Sequence, residues 1–289
     1  MKAPANGSLT VDSPAHPEPR TDPLPDPRRR ASPPTLGTGT VSSLPRVRGR
    51  PSRPPDPSRV HPEHSTPSVS VVMPARNEAD NLRHILPRIP SWVDELIVVD
   101  GNSDDDTPAV ARAGWPDVRI VHQERTGKGD ALWQGFAAAE GDIIVMLDAD
   151  GSTDPAEIPR FVAALRTGAD VAKGTRFVIG GGSADLTPVR AFGNWALTRM
   201  VNVIWRARLT DLCYGYFAFW RDRLEELDPK CTGFEFETLL TVRAIRSGLS
   251  LVEVPSYESA RIAGTSQLRT LRDGMRVLRT ICAEWIRPR

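Results

Sequence analysis

The sequence predicts an α/β fold with a mainly parallel central sheet for residues 68–289. Three observations predict it: short runs rich in Ile and Val recur along the chain, segments long enough for a helix separate them, and acidic residues follow the runs where strands would end. The runs cover residues 69–73, 95–99, 118–121 and 143–147. Because each run is almost entirely apolar, we expect strands that are buried on both faces, as in a parallel sheet.

Helices are predicted between these runs, each beginning after a polar or proline signal. They cover residues 78–86, 107–113, 128–140 and 155–165. Beyond Gly174 the pattern loosens, through a glycine run and an aromatic, basic segment at 192–208. The remaining predicted elements are a strand at 215–220, a helix at 234–246, a strand at 249–254 and a final helix at 267–285.

The first 67 residues have a different composition. They hold more than half of the 27 prolines, with Ser, Gly and Arg between them and almost no periodic hydrophobic pattern, so we expect disorder. Arg outnumbers the acidic residues in this tail, which allows two interpretations. It is either a basic tether to anionic lipid or a partner, or an extension without a function of its own.

Composition and charge exclude several classes of protein. A formal net charge of +1 over 289 residues does not indicate nucleic-acid binding. Three cysteines without a Cys-x-x-Cys pair indicate neither a disulfide framework nor a structural zinc site. Neither a signal peptide nor an apolar stretch of about 20 residues, the length that spans a bilayer, is evident. We therefore expect a cytoplasmic protein, whose only contact with a membrane would be peripheral and on the cytoplasmic face.

The sharpest local motif is Asp148-Ala149-Asp150, directly after the run at 143–147. Ligands bind at the carboxyl ends of strands in open α/β sheets, and side chains two apart in an extended chain project to the same side. Both carboxylates can therefore converge on one hard cation such as Mg²⁺ or Mn²⁺, which would hold and neutralise a diphosphate. Because Asp is common in loops after strands, solvated turn residues are the alternative.

Two further loops follow strands at the same predicted edge. Asp100 could accept hydrogen bonds from a nucleobase or could only cap the next helix, and capping is the interpretation we favour for residues 104–106. Lys128, between Gly127 and Gly129, offers a cation and backbone N–H groups to phosphate, with a surface turn as the alternative. The longer spacing of a nucleoside-triphosphatase P-loop is absent.

The order and spacing of these motifs resemble family 2 glycosyltransferases. The motifs are Pro74-Ala75-Arg76-Asn77-Glu78, Asp100, Gly127-Lys128-Gly129 and Asp148-Ala149-Asp150. The subgroup they resemble most is the dolichol-phosphate, or polyprenyl-phosphate, mannosyl- and glucosyltransferases, over nearly all of the chain outside the tail. The resemblance implies the nucleotide-diphospho-sugar transferase fold, a Rossmann-like fold called GT-A, and inversion at the anomeric carbon.

The resemblance also implies roles for individual residues. Residues 68–175 would bind the nucleotide-sugar and the metal, and residues 176–289 would bind the acceptor. The residues near the nucleotide would be Pro74, Arg76, Glu78, Asp100, Lys128 and Asp148. The ligands of Mg²⁺ or Mn²⁺ would be Asp148 and Asp150, with Ser152 where the family commonly has Gln. The residues around an acceptor phosphate would be Arg176, Arg190 and Arg261. A guanidinium group stays charged and binds phosphate oxygens with two parallel hydrogen bonds, which suits this role. The alternative is that all three arginines are only surface residues.

The acceptor decides the mechanism. A polyprenyl phosphate with a second pKa near ~6 is largely ionised at pH 7 and needs no general base, so the arginines need only position it. A hydroxyl of a glycolipid, a polysaccharide or a natural product would need a base, for which Glu237 is the first candidate, unless that residue is structural. We favour the phosphate. A sugar-nucleotide-binding protein without turnover is the alternative outside enzymes, and the presence of both Asp148 and Asp150 argues against it.

The last predicted helix is amphipathic. Apolar residues recur at helical spacing beside a basic stripe: Leu268, Leu271, Met275, Leu278 and Trp285, then Arg269, Arg272, Arg276 and Arg279. Such a helix either lies on an anionic membrane or packs on the domain's own core, and the pattern does not choose between them. The aromatic, basic segment at 192–208 is open in the same way.

Overall fold

The computed structural model describes Val47, residues 66–265 and residues 269–288. Its strands are β1 Val69–Ala75, β2 Glu95–Asp100, β3 Arg119–His122, β4 Ile143–Met146, β5 Val171–Thr175, β6 Gly182–Ser183, β7 Phe217–Trp220, β8 Leu251–Pro255 and β9 Tyr257–Glu258. Seven of them form one sheet in the order β3-β2-β1-β4-β7-β5-β8, and β6 pairs with β9. This mixed architecture confirms the predicted α/β class.

The helices lie between the strands, as predicted for β-α-β units. They are α1 Ala79–Ile85, α2 Thr107–Gly114, α3 Lys128–Ala138, α4 Ile158–Arg166, α5 Pro188–Trp205, α6 Leu224–Leu227, α7 Phe236–Arg246 and α8 Thr270–Ile286. Single turns of 3-10 helix occur at Leu86–Arg88, Pro155–Glu157 and Arg221–Arg223. Within the described part of the chain, none of the helices combines the length and apolar character that crossing a bilayer requires.

The sheet is mainly parallel, with one reversed strand. β1 pairs in parallel with β2 and with β4, β2 with β3, and β5 with β8. β7 runs antiparallel to both of its neighbours, β4 and β5. Because β1 lies between β2 and β4, the strand order changes direction there, and open α/β sheets bind ligands at such a switch point.

Strand β1 shows how the sequence supplies two cores. Val69, Val71 and Met73 belong to the core under α1, α2 and α4, whereas Val72 belongs to the core under α3 and α7. Successive side chains of a strand point to opposite faces, so a strand covered on both faces needs an almost continuous apolar run. The runs at 69–73, 95–99 and 143–147 are therefore confirmed as buried strands. The expectation is wrong for the run at 118–121, because β3 is the first strand in the order of the sheet and its residues are only partly buried or exposed.

Strand β5 was not predicted. Its sequence, Val171-Ala172-Lys173-Gly174-Thr175, interrupts the apolar pattern with a lysine that is completely buried. The Lys173 ammonium donates to the carbonyl oxygen of Tyr214 at 3.0 Å and lies 4.8 Å from the centre of the Phe217 ring. Burial lowers the pKa of Lys173 below its usual value.

The predicted disorder of residues 1–67 lies outside the described residues, except at Val47, Thr66 and Pro67. Val47 is buried, and its N–H donates to the carbonyl oxygen of Leu251 at 2.9 Å. Leu251 belongs to β8, the last strand in the order of the sheet. At this one position, the chain before the domain packs on the sheet.

Candidate active site

Three acidic residues meet at the switch point. Asp148 and Asp150 follow β4, and Glu78 follows β1. Since these strands are adjacent and parallel, their carboxyl ends lie side by side. Each carboxylate is paired with a basic side chain, which gives two groups that we call the lysine cluster (Lys128, Asp148 and Glu237) and the arginine cluster (Arg261, Glu78 and Asp150).

The lysine cluster joins α3, the loop after β4 and α7. Lys128 Nζ lies 2.8 Å from Asp148 Oδ1 and 2.9 Å from Glu237 Oε1. Burial alone would lower the pKa of Lys128, but the two carboxylates raise it above its usual value, so the ammonium stays protonated at neutral pH. Burial raises the pKa of Asp148 to about 6, against the opposing effect of Lys128 and with help from Asp150.

The arginine cluster joins the loop between β1 and α1, the loop after β4 and the segment that contains Arg261. Arg261 donates from Nη1 to Glu78 Oε1 at 2.8 Å and from Nη2 to Asp150 Oδ2 at 2.9 Å. Asn81 donates a further hydrogen bond to the Glu78 carboxylate. The two clusters together hold four carboxylates against two cations, so two formal negative charges remain to be balanced.

Segment 259–263 is fixed over the loop after β4. Its first residue donates its N–H to the carbonyl oxygen of Ser152 at 2.9 Å, and the N–H of Ile262 donates to the carbonyl oxygen of Asp150 at 3.1 Å. The Ile262 side chain fills the space beside Gly151, where φ is +81° and a Cβ would lie 2.5 Å from the isoleucine Cδ1. A side chain at Gly151 would therefore displace the segment that carries Arg261.

The glycines around Lys128 allow close contact with another loop. At Gly127, φ is +110° and a Cβ would lie 1.9 Å from the carbonyl oxygen of Thr232. The N–H of Gly129 donates to the same oxygen at 3.2 Å, so the structure gives this group a protein partner instead of a phosphate. Because the loop leads into α7, these contacts set the distance between Lys128 and Glu237.

Gly215 is buried and packs closely against the lysine cluster. A Cβ at this position would lie 3.0 Å from Glu237 Oε1, 3.3 Å from Lys128 Nζ and 3.4 Å from Asp148 Oδ2. Gly215 lies just before β7, which enters the sheet at the edge where the parallel strands end because it runs in the opposite direction. The absence of a side chain at Gly215 therefore lets the backbone come close to three charged groups.

The residues predicted near the nucleotide lie at the ends of β1 and β2. Pro74 is within β1, and Arg76 follows it and is exposed. Asp100 ends β2 and is buried; its carboxylate accepts the N–H of Ser103 at 3.2 Å and lies 3.5 Å from His122 Nδ1. These contacts organise the turn after β2 but do not cap α2, whose N-cap residue Asp106 makes no side-chain cap hydrogen bond. The nucleobase role of Asp100 stays a proposal.

The donor set at this edge fits a hard divalent cation. Asp148 and Asp150 could hold Mg²⁺ or Mn²⁺ with Ser152 on the same loop. Across residues 66–265 and 269–288, no group of three or more His, Cys, Asp and Glu side chains is placed to hold a metal ion. Oxygens of a bound diphosphate or of water would therefore have to complete the coordination.

A family model described as "Glycosyl transferase family 2" matches residues 70–228, which include both aspartates after β4 and Lys128. The chain belongs to glycosyltransferase family 2. Two relatives of this glycosyltransferase are similar along most of their length. Polyprenol monophosphomannose synthase of Mycolicibacterium smegmatis is 34% identical over 235 residues, covering 74% of this chain and 84% of that protein. Undecaprenyl-phosphate mannosyltransferase of Micrococcus luteus is 34% identical over 212 residues, covering 69% of this chain and 87% of that protein.

A solved structure confirms the fold of the glycosyltransferase. Glucosyl-3-phosphoglycerate synthase from Mycobacterium tuberculosis, in complex with Mn²⁺, UDP-glucose and phosphoglyceric acid, superposes with a TM-score of 0.62. It is 28% identical, covering 77% of this chain and 81% of that chain. The predicted GT-A fold is therefore confirmed.

All three arginines expected around an acceptor phosphate pair with carboxylates in the glycosyltransferase, Arg261 with those of the arginine cluster. Arg176 is buried; it forms a two-point ion pair with Asp211, at 2.8 and 3.0 Å, and a third bond to Glu258 at 3.0 Å. Arg190 pairs with Asp185 at 2.8 Å. We therefore propose that Arg176 holds the acceptor half together, whereas Arg261 lies in the candidate active site between Glu78 and Asp150.

Sequence reasoning missed several residues of this site. Asn81 orients Glu78, Ile262 packs on Gly151, and Gly215 packs closely against the lysine cluster. An isolated glycine at the start of a strand often marks close approach of a ligand or another backbone, so that signal could have found Gly215. The pairing of Lys128 with Glu237 joins residues 109 positions apart and has no local signal.

Proposed function

We propose that this glycosyltransferase transfers a hexose from a nucleoside-diphosphate sugar, of the UDP-glucose or GDP-mannose class, to polyprenyl phosphate with the help of Mg²⁺ or Mn²⁺. The observation that carries the proposal is the pair of ion-pair clusters at the switch point, which gathers carboxylates for a cation and basic groups for phosphates. The names of the two mannosyl-transferring relatives support the acceptor.

The donor diphosphate is proposed to lie between the two clusters. Lys128 and Arg261 now neutralise Asp148 and Asp150. A divalent cation on these carboxylates would supply Lewis-acid stabilisation of the departing diphosphate. Both basic side chains then have charge available for phosphate oxygens, Lys128 on the donor side and Arg261 on the acceptor side. Pro74, Arg76, Glu78 and Asp100 are proposed to bound the nucleotide at the ends of β1 and β2.

The environment of Glu237 favours a phosphate acceptor. Its buried carboxylate already accepts a hydrogen bond from Lys128 at 2.9 Å, an arrangement suited to positioning that lysine. An ionised phosphate needs no base. Its oxygen forms the bond to the anomeric carbon from the face opposite the departing diphosphate. The bond between the anomeric carbon and the diphosphate oxygen breaks, and the diphosphate leaves with the electron pair. No proton has to move in this step.

The test is transfer of labelled sugar from UDP-glucose and from GDP-mannose to polyprenyl phosphate, with and without Mg²⁺ or Mn²⁺. Asp150→Asn keeps the size of the side chain and removes a proposed ligand, so labelled lipid should disappear. Asp117→Asn, on an exposed turn, is the matched control and should retain activity. Product that forms equally well in a chelator, or with Asp150→Asn, would contradict the proposed metal site.

A hydroxyl acceptor is the second candidate, and the likeness to glucosyl-3-phosphoglycerate synthase favours it. Phosphoglyceric acid should then be tried in place of the lipid, with glycolipid and polysaccharide acceptors beside it. Glu237→Gln separates the mechanisms, since loss of a general base lowers kcat by about 10²–10⁴. With polyprenyl phosphate we expect Glu237→Gln to raise KM for the donor through Lys128, with a smaller effect on kcat.

A further inference from the structure

Exposed hydrophobic side chains are concentrated on one half of the enzyme. Among the described residues, every large hydrophobic side chain that is exposed follows Arg176 in the chain. Those on α5 and α8 are Val189, Phe192, Trp195, Val203, Leu271, Met275, Trp285 and Ile286. Those on nearby loops and β9 are Phe177, Ile179, Tyr257 and Ile262, of which Ile262 packs on Gly151 in the candidate active site.

Helix α5 buries one face and exposes another that is also apolar. Asn194, Thr198 and Val201 are buried on the inner face. Phe192 and Trp195 are 68% and 61% exposed, and their ring centres lie 5.7 Å apart. An aromatic pair that lies mostly in water loses the stabilisation that its burial would give. The outer face of α5 therefore has the character of a contact surface.

The structure shows which side of helix α8 packs on the domain. It packs on the protein through Asp273, Val277, Ile281 and Glu284, which are buried. Leu271, Met275 and Trp285 of the predicted apolar stripe lie on a different side and are exposed, whereas Leu278 is half-buried. Leu268 lies outside the described residues. Most of the described stripe therefore does not serve the domain's own core.

The exposed faces of the two helices carry positive charge without acidic residues. α5 contains neither Asp nor Glu. The two acids of α8 are buried, where Asp273 accepts the N–H of Arg269 and Glu284 pairs with Arg243 and Arg246 of α7. The exposed cations are Arg199 on α5 with Arg272 and Arg279 on α8.

We propose that these outer faces of α5 and α8 dock the enzyme on an anionic membrane surface. Apolar and aromatic side chains insert at the level of the headgroups, and arginines bind lipid phosphates. A second copy of the chain fits less well, because a two-fold interface would set the same arginines against one another without exposed carboxylates on either helix. This proposal rests on the proposed function, because an enzyme that uses a lipid-linked acceptor has to reach that acceptor in a bilayer.

The test is sedimentation of the full-length protein with vesicles, in the absence of donor and polyprenyl phosphate. We expect binding to vesicles of equal parts phosphatidylcholine and phosphatidylglycerol, little binding to phosphatidylcholine alone, and release by salt. Arg272→Ala with Arg279→Ala should weaken binding about 30-fold, from about fivefold for each arginine. Phe192→Ser with Trp195→Ser should weaken it about tenfold or more. Arg112→Ala, on the exposed side of α2, is the control and should bind like the wild type.

Several outcomes would overturn the proposal. The first two are the absence of binding and equal binding to both kinds of vesicle. The third is binding that neither double variant weakens, and this result would assign vesicle binding to the arginine-containing chain before residue 68. Light scattering that shows a dimer lost in the Phe192 and Trp195 variant would assign the surface to a second copy. Vesicle binding without transfer of sugar to polyprenyl phosphate would support the docking surface and reject the proposed acceptor. Transfer to a water-soluble, short-chain polyprenyl phosphate without vesicle binding would support the acceptor and reject the docking surface.

Discussion

The substitution Asp211→Asn tests whether Arg176 is a structural residue of this glycosyltransferase. Arg176 donates from Nε and Nη2 to the two carboxylate oxygens of Asp211 at 2.8 and 3.0 Å, and both side chains are almost completely buried. Asp211→Asn keeps the shape, but removes one negative charge and replaces an acceptor oxygen by a donor. Within the described part of the chain, Glu258 at 3.0 Å is then the remaining ion-pair partner of the guanidinium.

The expected loss of stability follows from the charge that stays behind. Removing one partner of a buried ion pair costs about 3–5 kcal/mol, because the other charge remains buried. The bond to Glu258 places the expected loss at the lower end, about 3 kcal/mol. For a domain of about 200 residues each kcal/mol lowers Tm by about 2–4 °C, so circular dichroism should show a Tm lower by about 6–12 °C.

Asp185→Asn is the matched control for this prediction. It removes the acid of the Arg190–Asp185 pair, which has the same 2.8 Å distance but is partly exposed. Exposed pairs contribute about 0–1 kcal/mol, so Tm should change by no more than a few degrees. Equal losses in the two variants would refute the reasoning and make Arg176 available again as a ligand of the acceptor phosphate.

Three further predictions use the same enzyme. Burial alone would raise the pKa of Asp211, but Arg176 holds it below its usual value; the resulting stabilisation is present above the unfolded pKa of about 3.9 and is lost as pH falls through the folded pKa. In urea titrations, the difference between wild type and Asp211→Asn should therefore shrink below about pH 4, and a constant difference would contradict this origin. Gly215→Ala should lower kcat/KM by about tenfold, because the added methyl group would press on Glu237, Lys128 and Asp148 and displace them; wild-type kinetics would show that transfer does not depend on the geometry of the lysine cluster. Gly127→Ala should lower the urea midpoint, since a φ of +110° costs a side chain about 1–3 kcal/mol before its overlap with the carbonyl of Thr232 is counted; an unchanged midpoint would contradict the close contact.

Six of the seven strands of the main sheet and the acidic edge could be predicted because their signals are local, whereas β5 was missed because a lysine interrupts its apolar run. The apolar run before Asp148 specifies a buried strand, and the rule that ligands bind at strand ends brings Asp148, Asp150 and Glu78 to one edge. The charge pairs could not be predicted, because any acid can pair with any base until the fold brings them together. Arg176 meets Asp211, 35 positions away, in contacts that the sequence pattern does not contain.

The orientation of α8 shows the same limit. Its periodicity is equally compatible with a stripe against the core and a stripe in contact with lipid. The structure instead buries Asp273 and Glu284, which a reading by hydrophobicity would place outside. This orientation is tolerated because Arg243 and Arg246 of α7 neutralise Glu284 and lower its pKa, in opposition to the effect of burial.

The reversed strand β7 prevents the enzyme from being divided into donor and acceptor modules. β5 ends at Thr175, where the predicted donor half ends, but both of its neighbours in the sheet, β7 and β8, come from later in the chain. A chain cut after Thr175 would leave backbone hydrogen-bonding groups of β4 and β5 without partners. Recombining the genes of two relatives at this point would therefore disrupt the sheet. A change in acceptor specificity is expected instead from substitutions in loops and on helix faces that leave the sheet intact.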